Sequence, residues 1–137
     1  MVYDEGGHWR GLGTAWHLAE KGHAVTVVTP EPFLGREIAR TAADLGLRQR
    51  LRVMGVEAVT EHAVARWTGA SAVVKCLLTG TEREIAADGL VMSTTNRAFD
   101  PLSAELEGFE VHLIGDAQAP RLAPFAFHDG RRVGNLI

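Results

Sequence analysis

The chain has 137 residues and a formal net charge of -3, with 46% hydrophobic and 23% charged residues. This composition is typical of a globular protein, and the length fits one compact domain, or one domain with part of another. The slightly acidic balance gives no electrostatic footprint for nucleic acid, and the sequence contains no apolar run long enough to span a bilayer and no recognisable signal peptide. The single Cys76 excludes an internal disulfide and a four-cysteine metal or iron–sulfur site, so a reducing, cytoplasmic setting is expected.

Residues 2–29 predict a βαβ unit. Val2-Tyr3 is a short strand that runs into a glycine turn, and the segment after this turn has apolar residues at helical spacing. Gly22 is well placed to end the helix, because glycine adopts the left-handed conformation without a Cβ penalty. The β-branched run at residues 24–29 is then typical of a buried parallel strand.

Residues 36–93 predict more of the parallel sheet, interrupted by an antiparallel meander. A helix is expected at residues 36–54, with a break at Gly46, and a third parallel strand at 56–60. Short alternating stretches separated by Thr-Gly pairs then predict the meander, and residues 89–93 return to the parallel sheet. The meander strands are expected at residues 63–67, 72–78 and 83–86.

The C-terminal part predicts a loop with one helical turn at residues 94–108, a strand at 110–114 and a helix within 120–137. Pro124 suits the first turn of that helix, where its missing N–H has no intrahelical partner.

The first glycine turn is a candidate cofactor-binding site formed by Gly6, Gly7 and Gly11. Glycines allow the backbone to approach a pyrophosphate closely, and the N–H groups of the following helix N-terminus favour an anion. The spacing departs from G-x-G-x-x-G, because Trp16 occupies the third glycine position counted from Gly11. Two interpretations therefore stay open: a turn that only connects strand to helix, and a site for an adenine nucleotide.

Charges near this turn weaken the nucleotide interpretation. Asp4 and Glu5 place negative charge where phosphates would lie. At the end of the second strand, where an acidic residue would bind ribose hydroxyls, the sequence has Thr29-Pro30, and Glu31 comes late.

Gly115 and Asp116 form a second candidate site, between an apolar strand and a helix. A carboxylate in this position can accept hydrogen bonds from ribose or ribityl hydroxyls, while the helix N-terminus faces a phosphate. An ordinary turn or helix cap is the alternative.

The sequence contains no catalytic or metal-binding signature. The six histidines lack H-x-x-x-H or H-E-x-x-H spacing, so no metal site is predicted. Cys76 lies in an apolar strand and is expected to be a core residue, and the three tryptophans are expected to pack.

Four stretches match the motifs of a known family in order along the chain. They include VYDEGGHWRG at residues 2–11 and LIGDAQAPR at 113–121, together with residues 17–30 and 128–132. In these stretches the sequence resembles the C-terminal region of the trimethylamine dehydrogenase and 2,4-dienoyl-CoA reductase group of NADH:flavin oxidoreductases, most closely on the amine dehydrogenase side.

This resemblance implies an α/β, Rossmann-like FAD/NAD(P)-binding three-layer fold with a parallel sheet and a small antiparallel meander. Residues 1–95 correspond to the NAD(P)-binding-like Rossmann domain and residues 96–137 to a returning segment of an FAD- or ADP-binding domain. Gly115 and Asp116 match the family position that lines a flavin or ADP. FMN, a 4Fe–4S cluster and the catalytic residues belong to other domains of such enzymes, because a (β/α)₈ barrel alone needs about 250 residues.

The sequence thus predicts a nucleotide-binding-domain fragment of a flavin-dependent oxidoreductase, which by itself is inactive. Its role would be scaffolding or the binding of ADP, FAD or NAD(P), and its partner the remainder of the flavoenzyme or a second copy. The alternatives are a free-standing nucleotide-binding regulatory protein and a structural remnant that binds no ligand.

Overall fold

The computed structural model describes residues 1–137, which divide into two compact units. The first unit is Met1–Thr95 and the second unit is Asn96–Ile137. None of the helices in either unit is long and apolar enough to cross a membrane.

A four-stranded parallel sheet organises the first unit. Its strands are β1 (Val2–Asp4), β2 (Thr26–Val28), β3 (Glu57–Val59) and β7 (Val91–Ser93), in the order β3-β2-β1-β7. All three pairings are parallel, with Val2 opposite Val27 and Val91 in the two neighbours of β1. β1 and β2 therefore lie in the centre of the sheet, and β3 and β7 form its edges.

Two helices cover one face of this sheet. They are α1 (Trp9–Glu20) and α2 (Asp44–Val53), and both bury residues at helical spacing. Val2 and Val27 of the sheet pack with Leu12 of α1 and Leu47 and Leu51 of α2 in one hydrophobic cluster. Gly22 ends α1 with a φ of +85°, as the sequence predicts.

The opposite face of the sheet packs against the antiparallel meander. The meander consists of β4 (His62–Trp67), β5 (Ser71–Cys76) and β6 (Glu82–Ala86), close to the expected positions. Because side chains alternate along a strand, Tyr3 and Val28 point away from the helices and pack against Ala72 and Val74 of β5. The predicted three-layer arrangement of helices, parallel sheet and meander is confirmed.

The helix expected at residues 36–54 is interrupted, and Gly46 is the wrong position for the break. A 3₁₀ helix covers Ile38–Thr41, and the chain turns at Ala42, whose φ is 55°. α2 then begins at Asp44, whose carboxylate complements the helix dipole and pairs with Arg48 at 2.9 Å. Gly46 remains in the first turn of α2, because a helix tolerates glycine at a cost of about 1 kcal/mol.

The second unit has one α-helix, α3 (Ala123–Gly134), and two 3₁₀ turns at Ser103–Glu105 and Gly115–Ala117. Pro124 is the second residue of α3, as predicted. The strand expected at residues 110–114 does not form. Ile114 has an extended backbone, but the second unit contains no other strand, so this segment has no ladder to join.

Candidate nucleotide-binding sites

The first glycine turn lies at the carboxyl edge of the parallel sheet. β1 ends at Asp4 and α1 begins at Trp9, so residues 5–8 form the whole connection. In open parallel sheets, ligands bind at this edge, where the N-terminal N–H groups of the helix point outward. His8 is the N-cap residue of α1 and makes no capping hydrogen bond with its side chain.

The carboxylate of Asp4 occupies the inside of this turn. Asp4 is 1% exposed, lies against the backbone N–H groups of Gly6 and Gly7, and accepts a hydrogen bond from Ser93 Oγ at 3.3 Å. Its Oδ2 atom has no hydrogen-bond partner, and burial raises the pKa of the carboxyl group above its usual range. A carboxylate of the chain itself therefore already faces these glycine N–H groups.

Two glycines of the turn permit close contacts between parts of the chain itself. A Cβ at Gly11 would lie 2.5 Å from Asp4 Oδ1, so glycine allows α1 to pack directly over the carboxylate. Gly7 has a φ of +61°, and a Cβ there would lie 2.7 Å from the backbone N of Arg36. The space that a pyrophosphate would use next to Gly7 is thus approached by the backbone at Arg36.

The ends of β1 and β7 are also joined by side chains. Arg10 Nη2 donates to the carbonyl of Thr94 at 2.8 Å, and Glu5 Oε2 accepts from the Thr95 N–H at 2.9 Å. Sequence reasoning did not identify Ser93 or Arg36 as part of this site. Only the parallel register, which places Ser93 beside Asp4, and the course of residues 30–37 bring them to the turn.

The residues after β2 do not offer a free carboxylate. Thr29 is buried, and its Oγ1 accepts a hydrogen bond from the backbone N–H of Glu31 at 3.3 Å. Glu31 Oε1 in turn binds Arg36 Nη1 at 2.8 Å. The acidic group nearest to the position that binds ribose in dinucleotide sites is therefore held in an ion pair.

The second candidate site has a different construction. Gly115 is buried with a φ of +58°, and its N–H donates to Asp129 Oδ2 of α3 at 3.3 Å. A Cβ at Gly115 would lie 3.4 Å from Ala126 Cβ, so glycine also lets this turn pack closely on the helix. Arg121 Nη2 pairs with the same Asp129 oxygen, and Asp129 is only 6% exposed.

Asp116 remains exposed beside this buried pair. Its Oδ1 accepts from the backbone N–H of Arg121 at 3.5 Å, the limit of a hydrogen bond. α3 starts nearby at Ala123, and its N-cap residue Leu122 provides no side-chain cap. The turn therefore presents a carboxylate for hydroxyl groups. The start of α3 offers few free donors, because Pro124 has no N–H and the N–H of Phe125 donates to the Leu122 carbonyl at 3.0 Å.

Trp16 and Cys76, which were also considered from the sequence, make contacts within the chain. Trp16 donates from its indole N–H to Glu20 at 2.6 Å and lies under the guanidinium of Arg50, which is 4.3 Å from the ring centroid. Cys76 is half-buried at the end of β5 rather than in the core, and a hydrogen bond with Thr79 lowers the pKa of its thiol. His, Cys, Asp and Glu side chains form no group of three suited to a metal ion.

The parallel sheet with its glycine turn, helical layer and meander defines a Rossmann-like fold of the FAD/NAD(P)-binding type. The chain belongs to the pyridine nucleotide-disulphide oxidoreductase family, whose model matches residues 6–126. A search of curated proteins found no match to the sequence.

Solved structures similar to the chain include three large enzymes. Histamine dehydrogenase from Rhizobium sp. 4-9 matches 99% of this chain with a TM-score of 0.87 and 24% identity. 6-Hydroxypseudooxynicotine amine oxidase from Pseudomonas geniculata N1 matches 97% with a TM-score of 0.82 and 31% identity. A 2-naphthoyl-CoA reductase matches 99% with a TM-score of 0.73 and 24% identity.

The chain spans only about a fifth of these structures: 22%, 21% and 21% of their respective lengths. The resemblance to the C-terminal region of the trimethylamine dehydrogenase group is confirmed, because histamine dehydrogenase, the amine oxidase and the reductase belong to that group.

Proposed function

We propose that the chain is the nucleotide-binding region of a flavin-dependent, amine dehydrogenase-like oxidoreductase, and that ADP or FAD binds beside Gly115 and Asp116. The observation that carries this proposal is the contrast between two carboxylates. Asp4 fills the first glycine turn from within, whereas Asp116 is exposed next to a buried left-handed glycine.

The residues of the second turn fit an adenine nucleotide or flavin. Asp116 would accept hydrogen bonds from ribose or ribityl hydroxyls. FAD bound there would supply redox chemistry, while Asp116 would only bind and orient it. Catalysis, FMN and a 4Fe–4S cluster would belong to other domains of such an enzyme.

Residues 1–95 would then be an NAD(P)-binding-like domain with a structural role. Binding of a pyrophosphate to Gly6, Gly7 and Gly11 would require Asp4 to leave the turn and the backbone at Arg36 to move. Residues 96–137 would be the returning segment of an FAD- or ADP-binding domain. Division of the chain into compact units at Thr95 and Asn96 supports this assignment.

The partners of the second unit follow from its exposed apolar side chains. Phe99, Phe109 and Phe127 are each more than 70% exposed. Large exposed apolar side chains of this kind are typical of a surface that another protein domain or chain covers. We expect the remainder of the flavoenzyme, or a second copy of the chain, to cover it. Concentration-dependent association in sedimentation analysis of the purified chain would favour the second copy, and a monomer at all concentrations would rule that copy out.

A thermal-shift titration with ADP, FAD, NADH and NADPH tests the nucleotide site. A ligand that binds only the folded chain adds about 2.7 kcal/mol at a hundred times its dissociation constant, which raises the Tm clearly. ADP and FAD are expected to raise it, and Asp116→Asn to remove that shift. Asp88→Asn, which neutralises an exposed aspartate of the first unit, is the matched control and should retain the shift.

Two results would favour other functions. A shift with NADH or NADPH that survives Asp116→Asn would assign binding to the first glycine turn. The absence of any shift would favour a scaffold that binds no nucleotide, a reading already supported at the first turn by the position of Asp4.

A further inference from the structure

A cavity of about 720 Å³ lies between α2 and the edge strand β3 of the first unit. α2 turns its buried residues Leu47 and Leu51 toward the centre of the sheet. Along the edge, β3 contributes the small side chains of Ala58 and Thr60, the latter just after the strand, and these leave the space open. The volume falls within the range of roughly 300–1,000 Å³ that is usual for small-molecule sites.

Part of the cavity lining is apolar. Phe33 and Leu34, in the connection after β2, and Leu45 and Leu51 of α2 contribute to it. Leu45 is 68% exposed despite its apolar side chain. A ligand with a ring or short hydrocarbon chain would therefore remove apolar surface of these side chains from water.

The lining also carries positive charge. Arg48 and Arg52 of α2 both line the cavity, and no carboxylate is among its lining residues. Arg48 is paired with Asp44 through Nη2 and lies over the Phe33 ring at 5.2 Å, and its Nε–H is buried without an acceptor. Arg52 makes no ion pair, so the Asp44–Arg48 pair and Arg52 together leave one uncompensated positive charge.

We propose that this cavity binds a small organic monocarboxylate with an aromatic or short aliphatic body. A guanidinium matches the two oxygens of a carboxylate with parallel hydrogen bonds, and Arg52 is free to make them. A single uncompensated charge suits a monoanion better than a doubly charged phosphate ester. Gln49 and Thr60 add polar groups that can orient the ligand.

This site is separate from both candidate nucleotide sites. None of the residues that line it belongs to the first glycine turn or to the turn at Gly115 and Asp116. The proposal therefore stands or fails independently of nucleotide binding, and it requires only the first unit.

Titration of the isotopically labelled full chain with benzoate, followed by amide chemical shifts, tests this proposal. Saturable shifts are expected at residues of α2, of β3 and of the connection after β2. Benzamide, which has the same ring without the charge, and inorganic phosphate, which lacks the ring, should each bind at least about tenfold more weakly.

Three variants locate the binding. Arg52→Gln is expected to weaken benzoate binding by about tenfold, whereas Arg50→Gln on the same helix removes an equal charge outside the cavity and should leave it unchanged. Ala58→Leu fills the cavity without altering charge and should abolish binding, while Ala86→Leu on β6 is its control. Equal affinity for benzamide, shifts that map elsewhere, or no saturable binding of benzoate in the millimolar range would overturn the proposal.

Discussion

The first unit buries two hydrophobic clusters on the two faces of a sheet, whereas the second unit is ordered around a single buried carboxylate. All of the buried hydrophobic side chains belong to residues 1–95. In residues 96–137 only Gly115 and Asp129 are buried, and most of the large exposed hydrophobic side chains of the chain lie there. Each unit has a turn with a left-handed glycine and an aspartate: Gly7 with Asp4 in the first unit, and Gly115 with Asp116 in the second. Asp4 is buried, whereas Asp116 is exposed.

This comparison shows that similar turns acquire different roles through their surroundings. In the first unit, packing from both faces drives Asp4 into a desolvated position, where it satisfies the turn itself. In the second unit, Asp129 of α3 takes the N–H of Gly115, and Asp116 is left at the surface. A carboxylate of the chain therefore lies against both turns, and they differ in that a second carboxylate, Asp116, stays exposed only at the second turn.

The largest effect is expected from Leu12→Ala in the first unit. Leu12 is fully buried between α1 and the sheet, so its truncation should lower the free energy of unfolding by about 3 kcal/mol. Phe127→Ala in the second unit, where Phe127 is 78% exposed, should change it by less than about 0.5 kcal/mol. Urea unfolding followed by circular dichroism measures both. Similar losses in the two variants would mean that the second unit has an apolar core of its own.

Gly7→Ala tests whether the first turn is closed by the chain. A Cβ at Gly7 would clash with the backbone at Arg36 and occupy a left-handed conformation, so a loss of about 2 kcal/mol is expected. Gly13→Ala, in open space within α1, should instead stabilise the chain by up to about 1 kcal/mol. The same unfolding measurements distinguish them. Tolerance of alanine at position 7 would show that the turn opens readily, as a nucleotide site would require.

Asp129→Ala probes the polar centre of the second unit. It removes the acceptor of the Gly115 N–H and of Arg121, which should cost about 2 kcal/mol of local stability. Hydrogen exchange at the Gly115 amide should accelerate by about thirtyfold, while amides of the parallel sheet remain unchanged. Glu110→Ala, at an exposed residue of the same unit, serves as the control. Faster exchange in both units would mean that they unfold together.

The smallest expected effect is a loss of stability at alkaline pH, caused by deprotonation of Tyr3. Burial, with Glu5 nearby, raises the pKa of the phenol from 10.0 to about 12, so the folded chain keeps a proton that the unfolded chain releases. This contribution to stability is complete below pH 10 and is lost as the pH rises toward 12. Tyr3 is the only tyrosine, so phenolate absorbance reports on it alone. A midpoint near the unfolded value in the folded chain would contradict the burial of this side chain.

Much of the first unit could be predicted from local patterns. The glycine end of α1, the β-branched strand β2 and the Thr-Gly turns of the meander each follow from the conformational preferences of a few adjacent residues. The break before α2 could not be placed at Ala42, because it depends on burying Ile38 and Leu47 together in one cluster. The strand at residues 110–114 failed for a similar reason, since strands require a partner that no local pattern can guarantee.

By itself, the sequence determined the order of the elements in the first unit and the two glycine turns, because periodicity and turn chemistry act over short stretches of chain. The three-layer arrangement was expected from the resemblance to a known family. The charge of Asp4 near the first turn was also evident from the sequence. Only the tertiary structure decided that this carboxylate lies inside the turn, that Ser93 and Arg36 close around it, and that Arg48 and Arg52 line a cavity beside β3. Those contacts join residues far apart in the chain, and their energies depend on desolvation and close packing, which no short stretch of sequence contains.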